Sequence, residues 1–177
     1  MSWRDAEKRD QEALHEFVCT DPERPRYNPA TRQSHHPKQW EYQVQSLIRG
    51  TSLPLRTGLR MLLGEDDVGI AWVSVYESVD GLEVVELRCL AISCRHRGQG
   101  GGVAKEMATA TLDALTQDAI AAGVQAVNIE TRVWKDNEPS RRICEEAGLR
   151  HMGWSEAPGY LLFGGVLPIS GAPFSSS

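Results

Sequence analysis

Residues 84 to 105 constrain this chain more than any other stretch. Val84 to Ile92 is apolar and β-prone, Ser93 to Gly102 is basic and dense in glycine, and beyond it Ala104, Ala108, Leu112, Leu115 and Ala119 share one helical face. The order is strand, turn, helix N-terminus. Glycine lets a backbone approach a ligand closely, while the first amides of a helix have no internal partner and lie at the positive end of its dipole. Arg95 and Arg97 add formal charge beside those amides, so the stretch predicts an anion site suited to phosphate.

Two common phosphate loops fail against these residues. Counting from Gly98, a Walker loop would need glycine and lysine where Val103 and Ala104 stand. A dinucleotide fingerprint would need a third glycine where the chain has Val103. The spacing that fits is R/Q-x-x-G-x-G/A, met by Arg95-x-x-Gly98-x-Gly100 after Leu90-Ala91-Ile92. It resembles the acetyl-coenzyme A (acetyl-CoA) signature of the GNAT superfamily of N-acetyltransferases. A glycine-rich joint merely linking a strand to a helix is the bland alternative.

The resemblance implies an α/β fold, a single domain over residues 1–167 with a mostly antiparallel sheet and a central parallel strand pair flanked by helices. Residues 168–177 would be a flexible tail. It further implies acetyl-CoA as co-substrate without a metal, held by Leu90, Ala91, Ile92, Arg95, Arg97, Gly98, Gln99, Gly100, Gly101, Gly102 and Val103. A second family pattern, N-x-x-[AS]-x-x-[LF]-Y-x-x-x-G-[FL], is met by Asn137, Ser140, Gly148 and Leu149, with Ile143 a close apolar substitute, and adds Asn137 to the coenzyme contacts. One position departs outright. Where the family usually carries a tyrosine acting as general acid toward the departing thiolate, this chain has Cys144.

Composition narrows the rest. A length of 177 residues suits one domain, and a net charge of −5 without a basic stripe argues against nucleic acid as a partner. No apolar stretch approaches a membrane span and the charged N-terminus lacks a signal-peptide core, so a cytoplasmic protein without a membrane partner is expected. Cys19, Cys89, Cys94 and Cys144 show neither CxxC pairing nor His-rich spacing, which suggests reduced thiols and no metal site. A homodimer is an expectation from the resembling family alone.

In chain order, Met1 to Asp5 predicts a short strand and Asp10 an N-cap for a helix carrying Ala13, Leu14, Phe17 and Val18 inward. Residues 21 to 40 carry proline, arginine and histidine without a period and predict a long loop, either substrate-facing or a solvated connector. Pro37 and Gly50 frame a second helix with Trp40, Val44, Leu47 and Ile48 on one face. Strands at 60–63 and 68–77 flank the turn 64–67, and Asp80-Gly81 turns into the next strand. After the glycine loop, a helix ending at Gly123 leads to a parallel strand at 124–133, a helix at 140–147 stopped by Gly148, and strands at 150–154 and 160–167.

Acetyl transfer to an amine needs a neutral amine, a polarised carbonyl and a proton for the leaving sulfur. An alkylammonium with a pKa of about 10 must first lose a proton, and Glu86, placed like the glutamate of the histone-acetylating branch of the family, is the first candidate base. Glu130 and Glu83 are alternatives, and a salt bridge between Glu86 and Arg88 is the competing structural role. Backbone amides around Leu90 and Ala91 would polarise the carbonyl, as the resemblance implies. Cys144, Tyr160 or water could supply the last proton, although a small buried cysteine packing against the sheet is the favoured reading of Cys144. His35, His36 and His96 read as surface residues, and Trp134 as a core aromatic.

The expected function is acetyl transfer from acetyl-CoA to a primary amine by direct attack, with a small-molecule amine favoured as acceptor. A non-catalytic acyl-CoA-binding module and an enzyme acting on a peptide N-terminus or lysine are the alternatives.

Overall fold

The computed structural model describes residues 2–75, 82–98 and 102–169. The expected turn at Asp80-Gly81, the loop residues Gln99, Gly100 and Gly101, and the tail from Ser170 lie outside the described residues. Hydrogen bonding orders seven strands as β1 (Trp3–Asp5), β4 (Leu59–Gly64), β5 (Gly69–Val75), β6 (Leu82–Ile92), β7 (Ala126–Trp134), β9 (Tyr160–Pro168) and β8 (Arg150–Trp154). β6 and β7 are a parallel pair, whereas β1 with β4, β7 with β9, and β8 with β9 are antiparallel. The helices are α1 (Gln11–Glu16), α2 (Gln39–Arg49), α3 (Gly102–Ala121) and α4 (Glu138–Glu146), and β2 (Arg26–Asn28) with β3 (Gln33–His35) forms a separate hairpin. The mixed α/β architecture with one parallel pair is the one expected. The chain divides into two compact units, residues 1–72 with 89–107 and residues 73–88 with 108–177.

The first unit is built on a core of Leu14, Phe17, Ile48, Met61, Leu63, Ile70 and Trp72, into which β6 contributes Cys89 and Ala91. Alternation explains that contribution, since Cys89 and Ala91 share the inner face of an extended strand while Leu90 and Ile92 point the other way. Two expectations need correction here. Asp10 begins α1, but its carboxylate does not cap the helix. It accepts from Arg4 at 2.7 Å through both oxygens and from the Glu7 amide at 2.8 Å, so the helix is short and tied to β1 instead. On α2, Leu47 is 43 % exposed and Gln45 is 1 % exposed, the reverse of the hydrophobic pattern. The Gln45 amide earns that burial by accepting from Cys19 N and Thr20 N and donating to Glu23 O, contacts that periodicity cannot foresee.

The segment 21–40 is also more ordered than its composition predicts. Arg26 pairs with His35 and Asn28 with Gln33 across the hairpin, and the Asn28 side chain accepts from Ala30 N at 3.0 Å to form its turn. His36 is completely buried rather than a surface residue. Its Nδ1 accepts from the Lys38 amide at 2.9 Å, so its Nε2 carries the proton and donates to Pro22 O at 2.6 Å, while its ring stacks on Tyr42.

In the second unit, β7 lies between β6 and β9 and is buried at Val127, Ile129, Thr131 and Val133. Along α3 the buried positions are Met107, Thr111, Leu115 and Ala119. That i, i+4 stripe is rotated from the expected one, because the methionine and threonine turn inward and leave Ala104, Ala108 and Leu112 partly exposed. Gly123, at φ 70°, ends the helix as expected, and Val124 N reaches back to Ala119 O at 2.9 Å. Asn137 opens α4 by accepting from Ser140 N, and Gly148, at φ 82°, closes it.

Candidate functional site

The anion loop belongs to the first unit. Its start is fixed by two backbone bonds, from Ser93 N to Val68 O at 2.9 Å and from Cys94 N to Val18 O at 2.8 Å. A short 3-10 turn over Cys94–His96 follows, and Gly98 then takes φ 82°, a left-handed value that a side chain would strain. A Cβ placed on Gly98 or on Gly102 would meet nothing within 4 Å, so both glycines face open space. Gly102 opens α3, a helix of 20 residues with no acidic side chain in its first turn and Lys105 within it. The N-terminus of a long helix, open space and a left-handed glycine fit the pyrophosphate of a coenzyme.

The two arginines of the loop differ. Arg95 is exposed. Arg97 is exposed as well, but its guanidinium is tied down, with Nη1 2.9 Å from Glu41 Oε2 on α2 and Nε donating to Ile92 O at 3.3 Å. Val103 is partly buried at the start of α3, and His96 is partly buried within the turn.

A second cluster, made of side chains, lies in the second unit. The parallel register runs from Leu82 opposite Ala126 to Leu87 opposite Thr131, and it sets Glu86 beside Glu130 on one face. Like charges side by side on a sheet repel. Arg132 forms an ion pair with Glu86 Oε1, Arg88 lies 3.7 Å from Glu86 Oε2, and Asn128 donates to Glu130 at 3.3 Å. The anticipated Glu86–Arg88 contact is therefore present, with a second guanidinium that only the strand register supplies. On β9, Tyr160 stands opposite Trp134 on this same face, its ring packed edge-on at 5.3 Å. Burial pushes the Tyr160 phenol above its ordinary range, with Arg132 opposing. Thr131 Oγ1 donates to Leu87 O at 2.8 Å where the parallel register ends, and both strands continue, β6 to Ile92 and β7 to Trp134.

Other candidates are placed elsewhere. Glu83 lies on the buried face of β6, opposite to Glu86, so the two cannot serve one site from the same side. Burial and then Asp118 push its carboxyl above the usual carboxylate range, and its Oε1 has no hydrogen-bond partner among the described residues. Cys144 is buried on the inner face of α4, and burial pushes its thiol up to about 11. The position is that of a packing residue. Asn137 spends its side-chain oxygen on the α4 cap. His35 is exposed on the hairpin.

Sequence reasoning missed a cavity of about 610 Å³ in the first unit, lined by Glu23, Arg24, Ser34, Tyr42, Gln45 and Arg49 among others. Proline, arginine and histidine in 21–40 concealed a hairpin whose Ser34 reaches this lining, and no local signal marks it. Among the described residues no cluster of His, Cys, Asp and Glu is arranged to hold a metal ion, and no helix is long and apolar enough to cross a membrane.

Residues 3–150 match the family model of the acetyltransferase (GNAT) domain. The chain belongs to the GNAT acetyltransferase family. Solved structures agree in fold. A protein assigned to the GNAT acetyltransferases of Desulfovibrio desulfuricans superposes with a TM-score of 0.57 at 17 % identity, covering 96 % of this chain and 99 % of the other. The NatC complex bound to Gag peptide and CoA has a chain at 0.53 and 12 %, covering 96 % and 98 %. A spermidine N-acetyltransferase chimera of Vibrio cholerae SpeG and hSSAT stands at 0.53 and 13 %, covering 96 % and 97 %. No curated protein matches the chain significantly.

Proposed function

We propose that the protein transfers an acetyl group from acetyl-CoA to a primary amine by direct attack, with a small-molecule amine as acceptor. The observation that carries this reading is the loop from Ser93 to the start of α3, where left-handed Gly98 and the open N-terminus of a long helix suit a pyrophosphate. Bound there, acetyl-CoA supplies an activated thioester. Gly98, Gly102, Val103 and Arg95 bind its phosphates together with Gln99, Gly100 and Gly101, and the backbone at Leu90, Ala91 and Ile92 lies along the rest of the coenzyme, with its amides around Leu90 and Ala91 directed at the acetyl oxygen.

Glu86, four residues upstream of Leu90 on the same strand, accepts the ammonium proton directly or through water. Its two arginines hold the carboxylate in one orientation, and Glu130 adds a second carboxylate on that face. Tyr160, on the same face and held protonated by burial, is better placed than buried Cys144 to give a proton to the departing sulfur. The recess beside the hairpin, within the first unit, has the volume of a small-metabolite site, and a small amine is the acceptor this reading favours. The peptide bound by the NatC complex keeps peptide acceptors as one arm of the test.

A second reading, a non-catalytic acyl-CoA-binding module, is favoured by one observation. Glu86 is already engaged by two guanidiniums, and Cys144 replaces the family's tyrosine. Calorimetric titration with acetyl-CoA, followed by thiol release in the presence of polyamines, amino acids and peptides, separates the readings. Binding with amine-dependent thiol release supports the enzyme, and binding without turnover for any amine supports the module. Loss of binding in Gly100→Glu, which sets negative charge at the phosphate position, is expected in either case. No binding by the folded wild type would sink both.

A further inference from the structure

We propose that Glu41 is a positioning residue for the coenzyme loop, holding Arg97 as a brace of the turn that ends at Gly98, so that the Arg97 guanidinium is tied to α2 rather than to the pyrophosphate. The inference rests on the acetyl-CoA reading above. Sequence alone groups Arg95 and Arg97 as two equivalent cations beside a phosphate site. The geometry separates them. Arg97 precedes left-handed Gly98, yet its Nη1 is 2.9 Å from Glu41 Oε2 and its Nε donates to the Ile92 carbonyl at 3.3 Å. The guanidinium thus joins three places in the first unit, the turn, the end of β6 and α2.

Glu41 is suited to that duty. Its side chain is 17 % exposed, and Lys38, the residue that precedes α2, lies 3.7 Å from the same carboxylate oxygen. A carboxylate compensated from two sides and shielded from water is a firm anchor for a charge-assisted hydrogen bond. The loop has reason to need one. Ser93 and Cys94 fix the start of the turn through their amides, whereas its end is Gly98, whose left-handed φ of 82° must be held by the residues before it. Arg97 anchors the turn at the residue just before that glycine. Drawing Arg97 away to meet a phosphate would leave the Glu41 carboxylate facing Lys38 alone and would loosen the turn it tethers.

The test uses the full chain and two thioesters, acetyl-CoA and acetyl-pantetheine, of which only the first carries a pyrophosphate. For Glu41→Gln, calorimetry is expected to show acetyl-CoA binding weakened by roughly tenfold, the scale of losing a charge-assisted hydrogen bond. Arg97→Gln should weaken it equally, the double variant no further, and Glu41→Asp should recover part of the loss. The KM for acetyl-pantetheine should not move, which a general loss of structure would not spare. Unchanged or tighter acetyl-CoA binding in Glu41→Gln, with weaker binding in Arg97→Gln, would make Arg97 a direct phosphate ligand and overturn the proposal. Equal losses for both thioesters would overturn it as well. Failure of the wild type to bind acetyl-CoA would instead strike the underlying reading, so the two failures are distinct.

Discussion

The anion loop and the carboxylate–guanidinium face are built from opposite materials. The loop of the first unit relies on backbone, with Gly98 in a left-handed conformation, Gly102 facing open space and the N-terminus of α3. The face of the second unit relies on side chains, with Glu86, Arg88 and Arg132 brought together by the pairing of β6 with β7. A backbone site is encoded by residues adjacent in the chain, because amides are always present and only glycine and spacing decide where they are exposed. A side-chain cluster across strands depends on register, and a slip of one residue would move every member to the other face. The first is tuned by conformation and the second by charge.

That contrast can be broken at either end. The largest effect is expected from Glu86→Gln, which should lower kcat by about 10²- to 10³-fold, most near neutral pH, while leaving acetyl-CoA affinity intact. Steady-state rates with calorimetry check this, and a rate within a factor of three of wild type would move the base to Glu130 or water. Next is Gly159→Ala. At φ 84° and with a Cβ 2.3 Å from the Trp134 ring, the substitution combines strain and overpacking, so a stability loss of about 3 kcal/mol is expected in thermal unfolding.

Gly98→Ala sharpens the comparison, since it shares the left-handed φ without any clash. Conformational strain of about 1–2 kcal/mol should appear as roughly tenfold weaker coenzyme binding with little change in melting temperature. Equal melting losses in the two glycine variants would erase the distinction between a binding and a packing glycine. The smallest effect concerns Asp10, whose carboxyl is held at about 2, foremost by the hydrogen bonds from Arg4, with burial opposing. A carboxyl lowered on folding contributes above its unfolded value near 3.8 and loses that contribution as pH falls toward 2. Because Arg4 is half-exposed and screened, Asp10→Asn should cost about 1 kcal/mol at neutral pH, and the difference from wild type should vanish near pH 2. Denaturant titrations across that range check it.

Much of the fold was legible. The strand and the helix at the centre, the parallel partner at Ala126–Trp134, the stop at Gly148 and the last antiparallel pair all sit within a few residues of where local pattern places them. The departures share a cause. Gln45 replaces Leu47 inside because three backbone groups of a distant segment need its amide. His36 is buried because Pro22 O and the Lys38 amide satisfy both of its nitrogens. Asp10 serves Arg4 rather than its helix. In each case a polar side chain is placed by its hydrogen-bond partners, whether near in the chain as for Asp10 or distant as for Gln45, and hydrophobic period carries no information about such partners.

The sequence by itself determined that this chain carries a strand, a basic glycine-rich loop and a helix in one run, because glycine content, charge and helical period are local properties. It also carries, in Arg95, Gly98 and Gly100, the motif by which it resembles the family whose model matches residues 3–150. Tertiary structure decided which charges are occupied. Arg97 is drawn to Glu41 across 56 residues, Glu86 to Arg132 across 46, and Glu83 is turned to the face opposite Glu86. Coulomb attraction acts through distance in space, and only the folded register states which side chains are close.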